Sequence, residues 1–134
     1  MVALLIVSLL SMCIATGVAF GARQYRRAVA NSEARILCST LTNAITDELS
    51  NTTIFDSKKT LEANADGQIC REDGSLLLPE AAYTGTETLS ATIKVTYADA
   101  DKKYKIELAV SPNNTDWKVE TKFDVLPLNP VTVK

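Results

Sequence analysis

The 134-residue sequence predicts an α+β fold, in which a long N-terminal helix packs by its second half against an antiparallel β-meander of three or four strands. Three observations support this prediction. Residues 1–22 form an uncharged apolar run, and residues 23–50 contain neither proline nor glycine and carry one apolar stripe. Residues 89–125 alternate apolar and polar side chains in segments. The chain therefore divides into a membrane-spanning part of the helix (1–22), an amphipathic stem of the same helix (23–50) and a β-rich head (51–134).

The apolar run at residues 1–22 has the length of a membrane anchor. At about 1.5 Å per residue it extends about 33 Å as a helix, enough to cross a hydrocarbon core of about 30 Å. A cleavable signal peptide is the alternative, because Val18–Ala22 offers small residues suited to cleavage. No basic residue precedes the run, and it exceeds the roughly 7 to 15 apolar residues typical of a signal peptide. An uncleaved anchor is the preferred interpretation.

The stem continues the anchor without a break, so residues 2–50 are predicted to form one helix about 70 Å long. Its apolar residues lie mostly three or four positions apart, which places them on one face of a helix. They are Val29, Ile36, Leu37, Leu41, Ala44, Ile45 and Leu49. Such a stripe needs a partner surface.

Residues 51–82 carry weaker signals. Residues 53–55 are predicted to be extended, and residues 56–64 are predicted to form a helical turn. Residues 68–71 and 75–78 predict two strands joined by Glu72-Asp73-Gly74, because Asp-Gly is typical of a tight hairpin turn.

The last third carries the clearest pattern. Period-two alternation along residues 89–97, 104–110 and 117–125, with short turns between, predicts a meander with one apolar and one charged face. Pro127 and Pro130 end the sheet. The helix stripe is the only long apolar surface left to cover the apolar face. We therefore expect a stem–sheet core formed by Ile36, Leu37, Leu41, Ile45, Leu49, Ile93, Val95, Ile106, Leu108, Trp117, Val119 and Phe123.

Charge is distributed unevenly along the chain. Arg23, Arg26 and Arg27 follow the apolar run directly, and residues 28–134 hold 11 Lys/Arg against 16 Asp/Glu, a net charge of −5. An acidic head disfavours contact with nucleic acid. The three arginines are expected to mark the membrane boundary, where they meet lipid headgroups or acidic residues of a neighbour.

The sequence offers no chemistry for catalysis. It has no histidine, no CxxC pair and no glycine-rich phosphate loop, and Asp99 and Asp101 lack the remaining ligands of a calcium loop. We therefore predict no catalytic residue, cofactor, metal or small-molecule substrate. Cys38 and Cys70 leave two alternatives, a disulfide joining the stem to the hairpin of an exported head, or two buried free thiols, of which the second is preferred.

A membrane-embedded helix that continues into a head-bearing stem resembles the type IV pilins and the pseudopilins of type II secretion. Residues 1–10 resemble the stretch that follows the cleavage site in that family, and residues 30–35 with the apolar ladder after them resemble its stem. The family's basic leader, its glycine and its early glutamate are absent from this chain. Met1 stands about where the residue after that glutamate belongs, and we expect the missing residues to be encoded immediately upstream.

The resemblance implies a pilin-like fold and a structural subunit of a type IV pilus-like, type II secretion or competence pseudopilus filament. Its partners would be the lipid bilayer, copies of itself or related pilin-like subunits, and the pilus assembly machinery. It would sit in the bacterial inner or cytoplasmic membrane with its head outside the cytoplasm, and in an extracellular filament when assembled. The arginines alone predict the opposite orientation, which a basic leader would counteract.

Small residues in the anchor suggest where helices associate. Gly17 and Gly21 form a GxxxG pair, and Ser11 and Ala15 are expected to extend the row, although such residues are also ordinary in membrane helices. Two other interpretations of the chain stay open: a monomeric membrane-tethered binding module with an exported β-domain, and a secreted β-domain with a cleaved signal.

Overall fold

The computed structural model describes residues 1–56, 61–113 and 115–133. A long N-terminal apolar helix followed by a small antiparallel sheet confirms the predicted α+β layout. The elements are α1 (Val2–Ser50), β1 (Ile54–Phe55), β2 (Glu62–Ala63), β3 (Ile69–Cys70), a 3₁₀ helix (Glu80–Tyr83), β4 (Leu89–Ala98), β5 (Lys103–Pro112), β6 (Val119–Val125) and β7 (Thr132–Val133).

Helix α1 runs unbroken for 49 residues, and its bounds confirm the prediction. Hydroxyl side chains along the stem donate to the carbonyl four residues earlier, Thr42 to Cys38 at 2.8 Å and Thr46 to Thr42 at 2.7 Å. The helix therefore satisfies these polar groups itself. The C-terminal segment closes the end of the helix, because Leu128 donates its N–H to the Ser50 carbonyl at 2.9 Å.

The three-stranded sheet has the order β4-β5-β6, with both pairs antiparallel, which confirms the predicted meander. Its register places Ile93 opposite Leu108 and Leu108 opposite Thr121. Strand β5 extends beyond the predicted bounds at both ends, and β6 begins at Val119 rather than Trp117.

The core lies between the stem and the middle of the sheet. Tyr104, Ile106, Leu108 and Val110 of β5 are all buried. Strands β4 and β6 lie at the edges, where Ile93, Val95, Val119 and Phe123, with Trp117 just before β6, are only partly buried against the core. A single helix about 10 Å wide covers one strand fully, but not three strands spaced about 4.8 Å apart.

The buried face of the stem differs from the predicted stripe. Its buried residues are Ala30, Ala34, Leu37, Cys38, Leu41, Ile45 and Leu49. The prediction for Ile36 was wrong, since its side chain is 64% exposed. Each helical residue turns by about 100°, so Ile36 projects well away from the line that Leu37 and Leu41 share.

The segment between stem and sheet departs further from expectation. The predicted helical turn at 56–64 was wrong for residues 61–64, where β2 pairs antiparallel with β3; residues 57–60 lie outside the described part of the chain. The second strand of the predicted hairpin reduces to one bridge between Cys70 and Leu76, and the Asp-Gly turn is present, with Gly74 at φ +81°. Strands β1 and β7 pair in parallel, a pairing that the sequence did not suggest.

Two buried tyrosines share this core and differ in how their hydroxyls are satisfied. The 3₁₀ helix places Tyr83 so that its hydroxyl accepts the Ile69 N–H at 3.0 Å. The Tyr104 hydroxyl is buried and has no hydrogen-bond partner among the described residues.

Replacing each of these tyrosines by phenylalanine should therefore have opposite effects. Tyr83→Phe leaves the Ile69 N–H buried and unpaired, which should lower the free energy of unfolding by about 1–3 kcal/mol. Tyr104→Phe removes an unpaired polar atom from the core and should leave the stability unchanged or raise it slightly. Urea denaturation of both variants, followed by Trp117 fluorescence, gives the comparison. Equal losses would contradict the assigned hydrogen bonding.

Alkaline pH gives a second readout for the same pair. Burial raises the pKa of both tyrosines above the ordinary value of 10.0. Well below pH 10, these hydroxyls are protonated in both the folded and the unfolded chain. As the pH rises above 10, the unfolded chain ionises before the folded chain does, so the head loses stability. Tyr104→Phe should flatten this alkaline decline.

Candidate membrane and filament interface

The N-terminal half of α1 projects from the head as an apolar rod. One window of 18 residues has a mean hydropathy of 2.4, and none of it is buried against the rest of the chain. Residues 1–28 are all exposed, and burial begins at Val29 and Ala30. By length and composition, this helix is able to span a membrane.

Two hydroxyl groups within the rod form hydrogen bonds inside the helix itself. The Ser11 hydroxyl donates to the Val7 carbonyl at 2.9 Å, and the Thr16 hydroxyl donates to the Met12 carbonyl. Such bonds reduce the cost of placing a hydroxyl in lipid.

The four small residues predicted to form one packing row do not share a face. Gly17 and Gly21 are four apart and align, and nothing lies within 4 Å of a Cβ built on either. On a straight helix, Ala15 projects about 160° and Ser11 about 120° away from Gly17. The four residues therefore do not form a single row on a straight helix; Cys13, which is exposed and lies four positions before Gly17, aligns more closely with the glycines.

The boundary arginines Arg23, Arg26 and Arg27 are all exposed on α1, just before the helix becomes covered by the head. Arg27 also lines a cavity between the stem and the sheet. Sequence reasoning placed these residues at the membrane boundary but did not foresee the cavity.

A carboxylate joins the stem to the loop that precedes β4. Glu33 accepts the Thr86 N–H at 2.9 Å through Oε2 and the Thr86 hydroxyl at 3.1 Å through Oε1. A Cβ on Gly85 would collide with this carboxylate, so glycine leaves room for the contact. Charge-assisted bonds of this kind are stronger than neutral ones, and they tie the head to the helix close to where the rod begins.

The three cysteines are free, so the Cys38–Cys70 disulfide did not form. Cys38 is buried on the sheet side of the stem, where its thiol interacts with Thr121 and Thr42, and burial raises its pKa. The Cys70 thiol is half-buried and contacts the Gln68 carbonyl of its own hairpin. The two thiols therefore belong to different surroundings, and a buried thiol of raised pKa is unreactive.

The outer face of the sheet is charged, and lysines and carboxylates on neighbouring strands form ion pairs there. Lys122 lies 3.0 Å from Glu107 across β5 and β6, and Lys103 lies 2.6 Å from Asp124. The neighbouring carboxylates raise the pKa of both lysines. Such cross-strand pairs suit a solvated surface and discourage edge-to-edge pairing.

Asp101 lies 3.9 Å from Lys105 in the β4–β5 turn. No group of three or more histidine, cysteine, aspartate or glutamate residues that could hold a metal occurs in residues 1–56, 61–113 and 115–133.

No family model matches this chain, and neither a curated protein nor a solved structure matches it.

Proposed function

We propose that this chain is a membrane-anchored structural subunit that polymerises through the exposed half of α1, in the manner of type IV pilins and pseudopilins. The observation that carries the proposal is the unburied apolar rod, continuous with the helix on which the sheet packs. The subunit would reside in the bacterial inner or cytoplasmic membrane with its head outside the cytoplasm. It would join a type IV pilus-like, type II secretion or competence filament.

The physical driving force for such assembly is burial of the rod. In the bilayer, lipid covers its apolar side chains; in a filament, the rods of neighbouring subunits would cover one another. The charged outer face of the sheet would then form the outside of the filament. Copies of this chain or related pilin-like subunits, together with an assembly machinery, are the partners that this role requires.

Continuity between rod and head also supports a structural role. No proline or glycine interrupts α1 from residue 22 to its end, and Glu33 fastens the head to the helix near the junction. Force applied to the rod would therefore reach the head without a flexible linker. The sequence contains no histidine and no glycine-rich phosphate loop that would suggest an enzyme instead.

Cross-linking tests whether the rods self-associate. The full chain carrying Cys70→Ser, which keeps the exposed Cys13, is placed in bilayers, and second cysteines are introduced singly across residues 3–12. A polymer uses two different surfaces of each subunit, so some pairs with Cys13 should give ladders beyond dimers on oxidation. Monomers throughout would contradict the proposal and favour a monomeric membrane-tethered binding module; dimers alone would indicate a closed pair.

The aligned glycines supply a matched control for this experiment. Gly17→Leu should abolish the ladder if rods meet on the face shared by Cys13, Gly17 and Gly21, because close approach needs small residues. Ala15→Leu adds similar bulk on the far side of the helix and should leave the ladder intact. An identical response of both variants would argue against this face.

A further inference from the structure

A cavity of about 450 Å³ opens where the rod meets the head. Helix α1 contributes Arg27, Ala30 and Asn31; the loop before β4 contributes Glu87, and the β5–β6 loop contributes Asp116 and Trp117. One cation, two carboxylates and an indole therefore surround a single space.

The position of the cavity is fixed by the helix. Arg27 lies five residues beyond Ala22, the last residue of the apolar run, which is about 7.5 Å along the helix axis. Lipid headgroups occupy a layer of about 5–7.5 Å on each side of the hydrocarbon core. If residues 1–22 span the core, the cavity opens at the outer edge of the headgroup layer, and tryptophan is characteristically enriched at this membrane–water interface.

Glu87 places in the cavity a carboxylate oxygen that lacks a hydrogen-bond donor. Its Oε2 atom is buried and has no hydrogen-bond partner among the described residues. No ion pair within 4.0 Å joins Arg27 to Glu87 or Asp116 in the described part of the chain. A buried carboxylate oxygen without a donor is costly, so a cationic N–H group entering the cavity would be strongly favoured.

We propose that this cavity binds the headgroup of phosphatidylethanolamine. The lipid's primary ammonium donates to Glu87 and Asp116 beside Trp117, and its phosphate accepts from Arg27, whose guanidinium is suited to phosphate. Phosphatidylcholine satisfies this site poorly because its quaternary ammonium has no N–H. An anionic headgroup such as that of phosphatidylglycerol brings no cation to the carboxylates. The inference rests on the proposed placement of residues 1–22 in a bilayer.

Tryptophan quenching measures this preference directly, because Trp117 is the only tryptophan of the chain. The full chain is reconstituted in bilayers containing brominated phosphatidylethanolamine in unbrominated phosphatidylcholine, and in the converse mixture at the same mole fraction. We expect quenching that corresponds to roughly tenfold tighter binding of the ethanolamine lipid, the usual effect of a hydrogen bond to a charged group. Equal quenching in the two mixtures would overturn the inference.

Substitutions inside and outside the cavity distinguish specific lipid binding there from a general effect of the charge of the head. Glu87→Gln should bring the lipid preference close to one, whereas Arg27→Gln should weaken the binding of both lipids, because both carry the phosphate that Arg27 contacts. Glu80→Gln removes the same charge from an exposed position in the 3₁₀ helix, outside the cavity, and should keep the preference. If Glu80→Gln abolishes it as completely as Glu87→Gln, or if brominated phosphatidylglycerol quenches more strongly than the ethanolamine lipid, the proposed site is wrong.

Flotation of the proteoliposomes keeps this test separate from that of the anchor. A chain that fails to float with lipid refutes the membrane placement and the lipid site together. A chain that floats, yet is quenched equally by both lipids, refutes the lipid site alone.

Discussion

Leu41→Ala is expected to lower the free energy of unfolding of the head by about 2–5 kcal/mol. Leu41 is fully buried at the contact between α1 and the sheet. Truncating it removes apolar contacts and leaves a cavity in the main packing surface that joins the two layers. Small domains have a total stability of only about 5–15 kcal/mol, so this loss is a large part of the whole. Urea denaturation of the full chain in detergent, followed by Trp117 fluorescence, measures it.

Ile36→Ala is the matched control, because it shortens an aliphatic side chain on the same helix. Ile36 is 64% exposed, and its truncation should change stability by no more than about 0.5 kcal/mol. Helix propensity favours alanine slightly in both variants, so propensity cannot produce the difference. If both variants lost equal stability, the stem would not present the Leu41 face to the sheet.

The long helix and the meander were predictable because each repeats one local signal many times. The uncharged run covers residues 2–22 of α1, the stretch without proline or glycine covers residues 22–50, and period-two alternation continues through β4, β5 and β6. Because the apolar face of the sheet and the apolar stripe of the stem must both be buried, the packing of stem on sheet also followed from the sequence.

The exact face of the stem was not predictable from apolar residues alone. Ile36 was expected in the core by its chemistry, while Ala30 and Ala34 were overlooked, and Cys38 was expected to be buried but was not assigned to the stripe. These small residues lie four positions apart and continue the line of Leu41, and they permit close approach of helix and sheet. Alignment at intervals of three and four, rather than hydrophobicity alone, was the signal that would have found them.

The cavity could not be predicted because it depends on tertiary structure. Arg27, Glu87 and Trp117 are separated by about 30 to 90 residues along the chain, and no local pattern marks Glu87 or Asp116 as neighbours of the stem. Their meeting requires the path of the loop that Glu33 holds through Thr86. The same is true of β1 and β7, which are only two residues each and come from distant parts of the chain.

Gly67→Ala is the second substitution expected to have a large effect, at about 2–5 kcal/mol of lost stability. Gly67 has φ +73°, and a Cβ there would lie 3.0 Å from the Ser90 Cα and closer still to the Ser90 Cβ. The backbone at Gly67 and strand β4 at Ser90 therefore cannot both keep their positions. The Gly67 carbonyl accepts the Ala91 N–H at 2.7 Å, and this bond attaches the β2–β3 hairpin to the edge of β4. Hydrogen exchange should therefore show loss of protection at the Ala91 amide.

Gly74→Ala separates the backbone contribution from the collision. Gly74 has nearly the same dihedral, φ +81°, but nothing lies within 4 Å of its Cβ position. The cost of a left-handed alanine, about 1–2 kcal/mol, should therefore be the whole effect at Gly74 and only a part of it at Gly67. The additional loss of unfolding free energy in Gly67→Ala, compared with Gly74→Ala, measures how firmly the hairpin is held against β4. The Ala91 amide should keep its protection from hydrogen exchange in Gly74→Ala. Equal losses in the two variants would mean that the hairpin moves aside freely and that the bond to Ala91 contributes little.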